Sequence, residues 1–510
     1  MELAELVGRR LVIGIPGTEI TPEIVRHFQE LHAGGLILYR RNFDSPGQLK
    51  RLIADLEEAL GRKLLVMTDH EGGRVIMFRE GITVFPDNQA LGAAGRVDYA
   101  RKQGAIEARE LRRLGMDVNL APVLDVLTEA YSPNIGIRSY GRDWRVVAEL
   151  GAARIAALQQ GGLSACAKHF PGKGHAPVDA HLGLPVIPST WQEMEAVHLK
   201  PFVQAIDTGV DLIMSSHPYY PNLDPYPKKI ATFSRRIIHD YLRTELNFPG
   251  VIVSDDLEMG AIKEICSVGE AGILAAQAGH DLLLVCHSPQ AQKMVYTSLL
   301  EAHKNKHLSL PELEESTERI NRLKRKREKR FAGGDPAAEP EGSLLAAQIC
   351  QESVQVLRDE KNLLPLRHGQ SLGVIFPQFS CLGARIMIEK EVLEEEEFVR
   401  REFGKFGVYP DIRIVPLEPG GDAIQHAVHL AETSETTVLF LYDAHLYPSN
   451  KSLLEAVQEA APRLAVVLLR DPYDANHVKE GVACLTAFGW RTCQIRAAIE
   501  KIYSPPILKI

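Results

Sequence analysis

Several apolar runs in the first 260 residues end in side chains that can handle protons. KLLVMTD leads into Asp69, His70 and Glu71; SACAKHF carries Lys168 and His169; DLIMSSH ends in Ser216 and His217; GVIVSDD ends in Asp255 and Asp256. Carboxylates, imidazoles and an amine brought to one place are equipment for general acid–base and nucleophilic chemistry. An aspartate just past a buried strand can serve as nucleophile, general base or metal ligand. Asp256 also reads as a helix N-cap for the following LEMGAIKE, a reading that suits Asp255 less well.

The densest stretch is KHFPGKGHAPVDAHLGLP, residues 168–185. Its glycines and prolines exclude a helix or strand interior, so it is a long loop, and long loops in compact domains are often functional. Inside it, Asp179 and His181 form a D-x-H pair. A carboxylate that accepts from one imidazole nitrogen fixes the tautomer and favours the protonated ring, which suits a proton donor. As an isolated pattern, D-x-H is common and weak. A metal set of His169, His175 and His181 lacks the thiolate or carboxylate spacing that would complete it, so no metal is expected.

The elements that position these residues follow a repeat. Eight short runs rich in Val, Ile and Leu (11–17, 34–40, 63–69, 117–123, 164–170, 211–217, 250–256 and 281–287) alternate with amphipathic helical stretches. Continuous apolar runs suit strands covered on both faces, and eight strand–helix units over about 300 residues fit a (β/α)8 TIM-like barrel. A doubly wound sheet usually carries a Gly-rich phosphate loop after its first strand, and none stands here. In a barrel the C-terminal strand tips carry the chemistry, so four ionisable tips predict one shared pocket. Residues 311–330 read as a charged helix whose basic run is a solvated face rather than a nucleic-acid patch. Five further runs (371–377, 412–419, 436–443, 464–471 and 483–489) predict a smaller C-terminal α/β/α sandwich. The expected division is barrel 1–330, linker 331–345 and sandwich 346–510. RDPYDANH, 470–477, ends one of these runs as a candidate loop at the domain interface.

Composition bounds the class. The chain has 510 residues, 45% hydrophobic and 24% charged, with a net charge of −8, which argues for a globular protein and against a broad nucleic-acid or anionic-membrane surface. Seven scattered cysteines without C-x-x-C support neither a disulfide scaffold nor a zinc cluster, and a reducing compartment is the simpler reading. The N-terminus lacks a secretory h-region, and no apolar stretch is long enough to span a bilayer. The expectation is a cytoplasmic enzyme acting on a small molecule, with no membrane and no nucleic-acid partner; oligomeric state is not readable.

Segments GGLILYRRNF (34–43), TDHEGGRV (68–75), VNLAPVLDV (118–126), IGIRSYGRD (135–143), the 168–185 loop and VSDDLEM (253–259) together resemble glycoside hydrolase family 3. The resemblance is to its bacterial β-N-acetylglucosaminidase branch (NagZ-type, two-domain form). QESVQVLRDEKNLLPL, 351–366, is similar to the family's opening of its second domain, and the last 140 or so residues match only loosely.

The resemblance implies a retaining β-N-acetylhexosaminidase without cofactor. Asp255 becomes the nucleophile and His181, oriented by Asp179, the acid/base. Asp69, Arg138, Lys168 and His169 bind N-acetylglucosamine, and His217 lines the same pocket. The implied substrate is a carbohydrate, a peptidoglycan fragment. The alternatives are a β-N-acetylglucosaminide phosphorylase, a family 3 glycosidase for another β-sugar, or a non-catalytic sugar-binding barrel; the last requires a lost nucleophile or acid, and neither is lost. Three positions depart from the commonest family pattern: Lys173 where histidine is frequent, Ala180 for serine, and Glu258 for serine. The Gly/Pro content of 171–188 predicts a weakly held flap that closes over substrate.

Overall fold

The computed structural model describes residues 2–176, 183–226, 229–328, 339–384 and 386–504. Asp179, Ala180 and His181 lie outside the described residues, as does most of the expected linker.

All eight N-terminal apolar runs contain strands: β1 (Leu11–Gly14), β2 (Gly35–Leu38), β3 (Leu65–Thr68), β4 (Val118–Asn119), β5 (Ser164–Phe170), β6 (Leu212–Ser215), β7 (Val251–Val253) and β8 (Leu283–Val285). They form one parallel sheet in the order β7-β6-β5-β4-β3-β2-β1-β8, and a parallel bridge between Val253 and Leu282 brings the two ends together. Every residue of these strands is buried, as a strand covered on both faces requires. Inside the barrel Val12, Ile37, Met67, Val118, Cys166, Met214, Val253 and Leu284 pack together, while a larger apolar cluster fills the space between strands and outer helices.

Local chemistry sets the helix ends. Thr21 and Ser45 accept from Ile24 and Gln48 backbone N–H groups, each followed by a first-turn proline, and Gly61 closes the second of these helices at φ +63°. The charged helix Leu310–Glu328 is more than a solvated face. Ile320 and Leu323 join the barrel's inner cluster, and Arg319 and Lys326 pair with Asp281 and Asp211 at 2.9 and 2.6 Å.

The second sheet has six strands: β9 (Gln355–Arg358), β10 (Leu372–Pro377), β11 (Asp411–Val415), β12 (Thr436–Leu441), β13 (Leu464–Leu468) and β14 (Ala483–Thr486), in the order β11-β10-β12-β13-β14-β9. One apolar cluster lies on each face, giving the three-layer α/β/α sandwich. The five expected runs are all strands. β9 was not expected: it is an edge strand, largely exposed and antiparallel to β14, so it has no apolar run. A helix, Pro340–Ser353, begins within the stretch expected as linker because Leu345, Ala346 and Ile349 pack into the barrel's outer cluster.

Candidate active site

The C-terminal tips of β3, β5, β6 and β7, with the loop after β4, build one polar floor. Lys168, 2% exposed, points its ammonium between Asp69 and Glu71; it hydrogen-bonds the Asp69 carboxylate and stands 2.6 Å from Glu71 Oε1. Arg138 clasps the same Glu71 with two parallel bonds, Nε to Oε2 and Nη2 to Oε1, both 2.8 Å. This fork geometry is what guanidinium and carboxylate do best. Although burial opposes ionisation, Arg138 and Lys168 hold the Glu71 carboxyl well below the usual carboxylate range, and Asp69 and Glu71 in turn raise Lys168 despite its burial. Glu71 is braced from behind, since Arg154, paired with Glu107, donates to the Glu71 carbonyl at 2.7 Å.

His169 lies next to this pair. Its Nδ1 is 2.7 Å from Asp125 Oδ2 and its Nε2 is 3.4 Å from Arg138 Nη2. Burial, then the nearby Lys173, Arg138 and Lys168, hold the ring neutral, well below its ordinary range; burial also pushes Asp125 up, to about 6. The neutral imidazole donates its Nδ1–H to Asp125 and turns Nε2 towards the guanidinium. Asp125 spends its other oxygen on the Lys173 backbone N–H, at 2.7 Å.

At the tip of β7 the two aspartates part company. Asp256 is structural: its Oδ1 accepts from Glu258 and Cys286 backbone N–H groups, and its Oδ2 lies 3.3 Å from His287 Nε2. It ties β7 to β8 rather than capping a helix, since the next helix starts only at Gly260. The Asp255 side chain is 18% exposed and faces the mouth, its Oδ1 accepting from the Asp256 N–H at 2.9 Å and its Oδ2 lying 3.9 Å from Lys173 Nζ. His217 sits in the wall with both ring nitrogens engaged, Nδ1 on Thr232 Oγ1 (2.8 Å) and Nε2 on the Asp256 carbonyl (3.0 Å). That arrangement fits a residue that holds the β7 tip in place.

Of the residues expected at the site, Asp69, Arg138, Lys168, His169, His217 and Asp255 converge on this mouth. Asp179 and His181 lie outside the described residues. Three residues that sequence reasoning did not assign belong here: Glu71, Asp125 and the buried Lys173 side chain. Glu71 and Asp125 each sit in a segment that carried the family resemblance, but only their contacts reveal the work they do. Glu258, a departure from the family pattern, accepts from the His287 and Ser288 N–H groups at 2.6 and 3.0 Å at the start of helix Pro289–Lys304.

The described ends of the loop after β5 are held in place. Tyr220 Oη donates to the Gly172 carbonyl (2.9 Å), Lys173 is buried, and Ile187 N–H donates to the Tyr219 carbonyl (2.8 Å). The expectation of a weakly held 171–188 is therefore corrected for 171–176 and for 185–187.

A family model for the "Glycosyl hydrolase family 3 N terminal domain" matches residues 4–323. A beta-hexosaminidase of Nitrosomonas eutropha is 38% identical over 295 residues, 57% of this chain and 84% of that protein. Among solved structures, a glycoside hydrolase family 3 beta-N-acetylglucosaminidase from Paenibacillus superposes with a TM-score of 0.93 at 31% identity, covering 99% of this chain and 97% of that one. NagZ from Neisseria gonorrhoeae, 30% identical with a TM-score of 0.56, covers 68% of this chain and 97% of its own. With a barrel whose strand tips gather these carboxylates and cations, and a family model matched across it, the chain belongs to glycosyl hydrolase family 3.

Proposed function

We propose that the enzyme is a retaining exo-β-N-acetylglucosaminidase that uses Asp255 as nucleophile and His181, oriented by Asp179, as acid/base. The observation that carries this reading is the Asp255 carboxylate at the β7 tip, open to the mouth and beside a floor of fixed hydrogen-bonding groups. Lys168, Asp69, Arg138 and His169 offer donors and acceptors in fixed positions, the preorganised kind of surface that holds a sugar ring's hydroxyls. The names of the related proteins support N-acetylglucosamine as the sugar released.

An Asp255 oxygen attacks the anomeric carbon while the glycosidic C–O bond breaks, and the His181 proton passes to the departing oxygen. Water then attacks the glycosyl-enzyme, His181 takes its proton, and Asp255 leaves as a carboxylate. Most retaining glycosidases use a second carboxyl for the acid/base. A histidine there is neutral after giving up its proton, whereas a carboxylate would be charged. The proposed natural substrates are peptidoglycan fragments ending in N-acetylglucosamine. Seven free cysteines accord with a cytoplasmic setting, and among the described residues no helix is long and apolar enough to cross a membrane.

The test is hydrolysis of an aryl β-N-acetylglucosaminide against the matching β-glucoside, with and without phosphate. The expected result is strong preference for the former, free N-acetylglucosamine as product in both buffers, and loss of kcat on the order of 10⁴-fold in Asp255→Ala. His181→Ala should slow substrates with poor leaving groups far more than aryl glycosides. Retained turnover in Asp255→Ala overturns the nucleophile assignment, and equal losses on both substrate types overturn the acid role.

A further inference from the structure

We infer that the second domain holds the Arg138–Glu71 ion pair, whose arginine is the proposed sugar contact, in register, through two buried arginines that each grip the backbone of one barrel loop. This rests on the proposed role of Arg138 in binding sugar. Arg138 ends the loop that follows β4, and its Nη1 donates back to the Asn134 carbonyl at 2.9 Å, so the position of that loop sets the guanidinium. From the second domain Arg470, 2% exposed, donates Nη2 to the Pro133 carbonyl at 2.9 Å. Glu71 begins a closed turn in which its N–H donates to the Val75 carbonyl at 2.9 Å. Arg491, fully buried, donates Nε to the Gly73 carbonyl of that turn at 2.7 Å and Nη1 to the Met387 carbonyl of its own domain at 2.9 Å. Both halves of one ion pair are thus carried on backbone held from the neighbouring domain.

The surroundings fix the two arginines. Arg470 is hydrogen-bonded to Asp443 and lies 3.3 Å from Asp471. Asp443, His445 and Asp471 bring ligand atoms within 4.8 Å of one another, a spacing that could suit a cation, but the guanidinium already spans both carboxylates and supplies that charge. Around it, Tyr131 of the barrel loop packs between the His445 ring (centroids 4.8 Å apart) and Tyr473, to whose carbonyl its hydroxyl donates at 3.2 Å. Gly136, at φ +44°, lies so close to Asp471 that a Cβ there would meet its Oδ1 at 2.8 Å. A hydrophobic glue between domains needs no such set of directed bonds to main-chain oxygens.

The experiment is a set of double-mutant cycles in the full chain with an aryl β-N-acetylglucosaminide. Arg470→Met and Arg491→Met are made alone and in an Arg138→Lys background, with melting temperature followed throughout. Each alone should lower kcat/KM about ten- to hundred-fold, mainly through KM, because small displacements of a positioning group are costly. On Arg138→Lys each should cost less than about three-fold more, since both changes remove the same interaction. A fall in melting temperature with unchanged kcat/KM, or full additivity, overturns the inference. Should either methionine variant not fold, Arg470→Lys and Tyr131→Phe decide. The lysine keeps charge beside Asp443 but loses the planar fork that reaches Pro133, and the phenylalanine removes only the hydroxyl. Both must raise KM, and an unchanged KM in both overturns the inference. If Arg138→Lys alone keeps full kcat/KM, the sugar-subsite reading fails; if it is impaired while the clamp variants are not, only the clamp fails.

Discussion

At the scale of single residues, Lys173 is one of the three positions read as departures from the commonest family pattern. Its backbone N–H is fixed by Asp125, and its ammonium lies 3.9 Å from Asp255, inside a wall that leaves it 3% exposed. Two unit charges ~4 Å apart interact by ~4 kcal/mol at an effective dielectric of ~20. An ammonium there stabilises the proposed nucleophile Asp255 as it is expelled from the glycosyl-enzyme, the step in which negative charge develops on its carboxylate. Lys173→Met keeps the backbone bond to Asp125, so the expected result is a kcat lowered roughly 10- to 100-fold with KM within about three-fold, since the charge acts on the reacting bond more than on binding. Steady-state kinetics on a substrate with a good leaving group checks it, because deglycosylation is then exposed. The sequence made Asp255 legible, since it is an ionisable group at the end of a buried run. It left Lys173, Glu71 and Asp125 without roles, because charge compensation depends on which side chains meet across different strand tips, and spacing along the chain does not carry that.

At the scale of elements the barrel strands are readable because all but β5 carry buried Val, Ile, Leu or Met, β5 having Ala, Cys and Phe instead, and burial on both faces leaves that mark in composition. β9 left none: its residues are mostly exposed and pair on one side only. The helix from Pro340 was hidden for a related reason, as it follows a Gly/Pro-rich stretch that reads as a break. Lys168, His169 and Phe170 belong to β5, and 171–176 and 183–185 are loop as their glycines and prolines imply; the anchorage of that loop is not legible, because glycine there permits tight packing rather than looseness. Gly174 shows this: a Cβ at that position would come within 2.0 Å of the Val126 carbonyl oxygen. Gly174→Ala must therefore push apart the loops that carry Lys173 and Asp125. The expected outcome is a fall in kcat/KM of more than about ten-fold, since displacing a positioned group by an ångström is that costly. Kinetics beside a circular-dichroism melt separates this from unfolding.

Across the whole molecule, the interface adds a pH dependence. Burial disfavours the charged form of His445, but Asp474, 2.8 Å from its Nδ1, with Asp443 and Asp471 beyond, raises it above 6.5. Folding thus favours the imidazolium. Its contribution is complete below about 6.5 and is lost as pH rises through the raised folded value. The expected observation is that the wild-type melting temperature falls more steeply above pH 6.5 than that of His445→Gln, the two curves converging at alkaline pH; parallel curves would contradict it. The interface loop itself was visible in RDPYDANH at a strand end, though not its grip on Pro133, which needs both domains in place.

In the second sheet the order of synthesis and the order of pairing disagree. β9 is the first of its six strands to be made, yet its sheet partner is β14, the last. The sandwich cannot close its edge until residue 486 has emerged, long after the barrel strands ending at residue 285 are free to assemble. Domains folding in order from the N-terminus would complete the barrel once helices Leu310–Glu328 and Pro340–Ser353 have joined its clusters, and the sandwich would close last, against it.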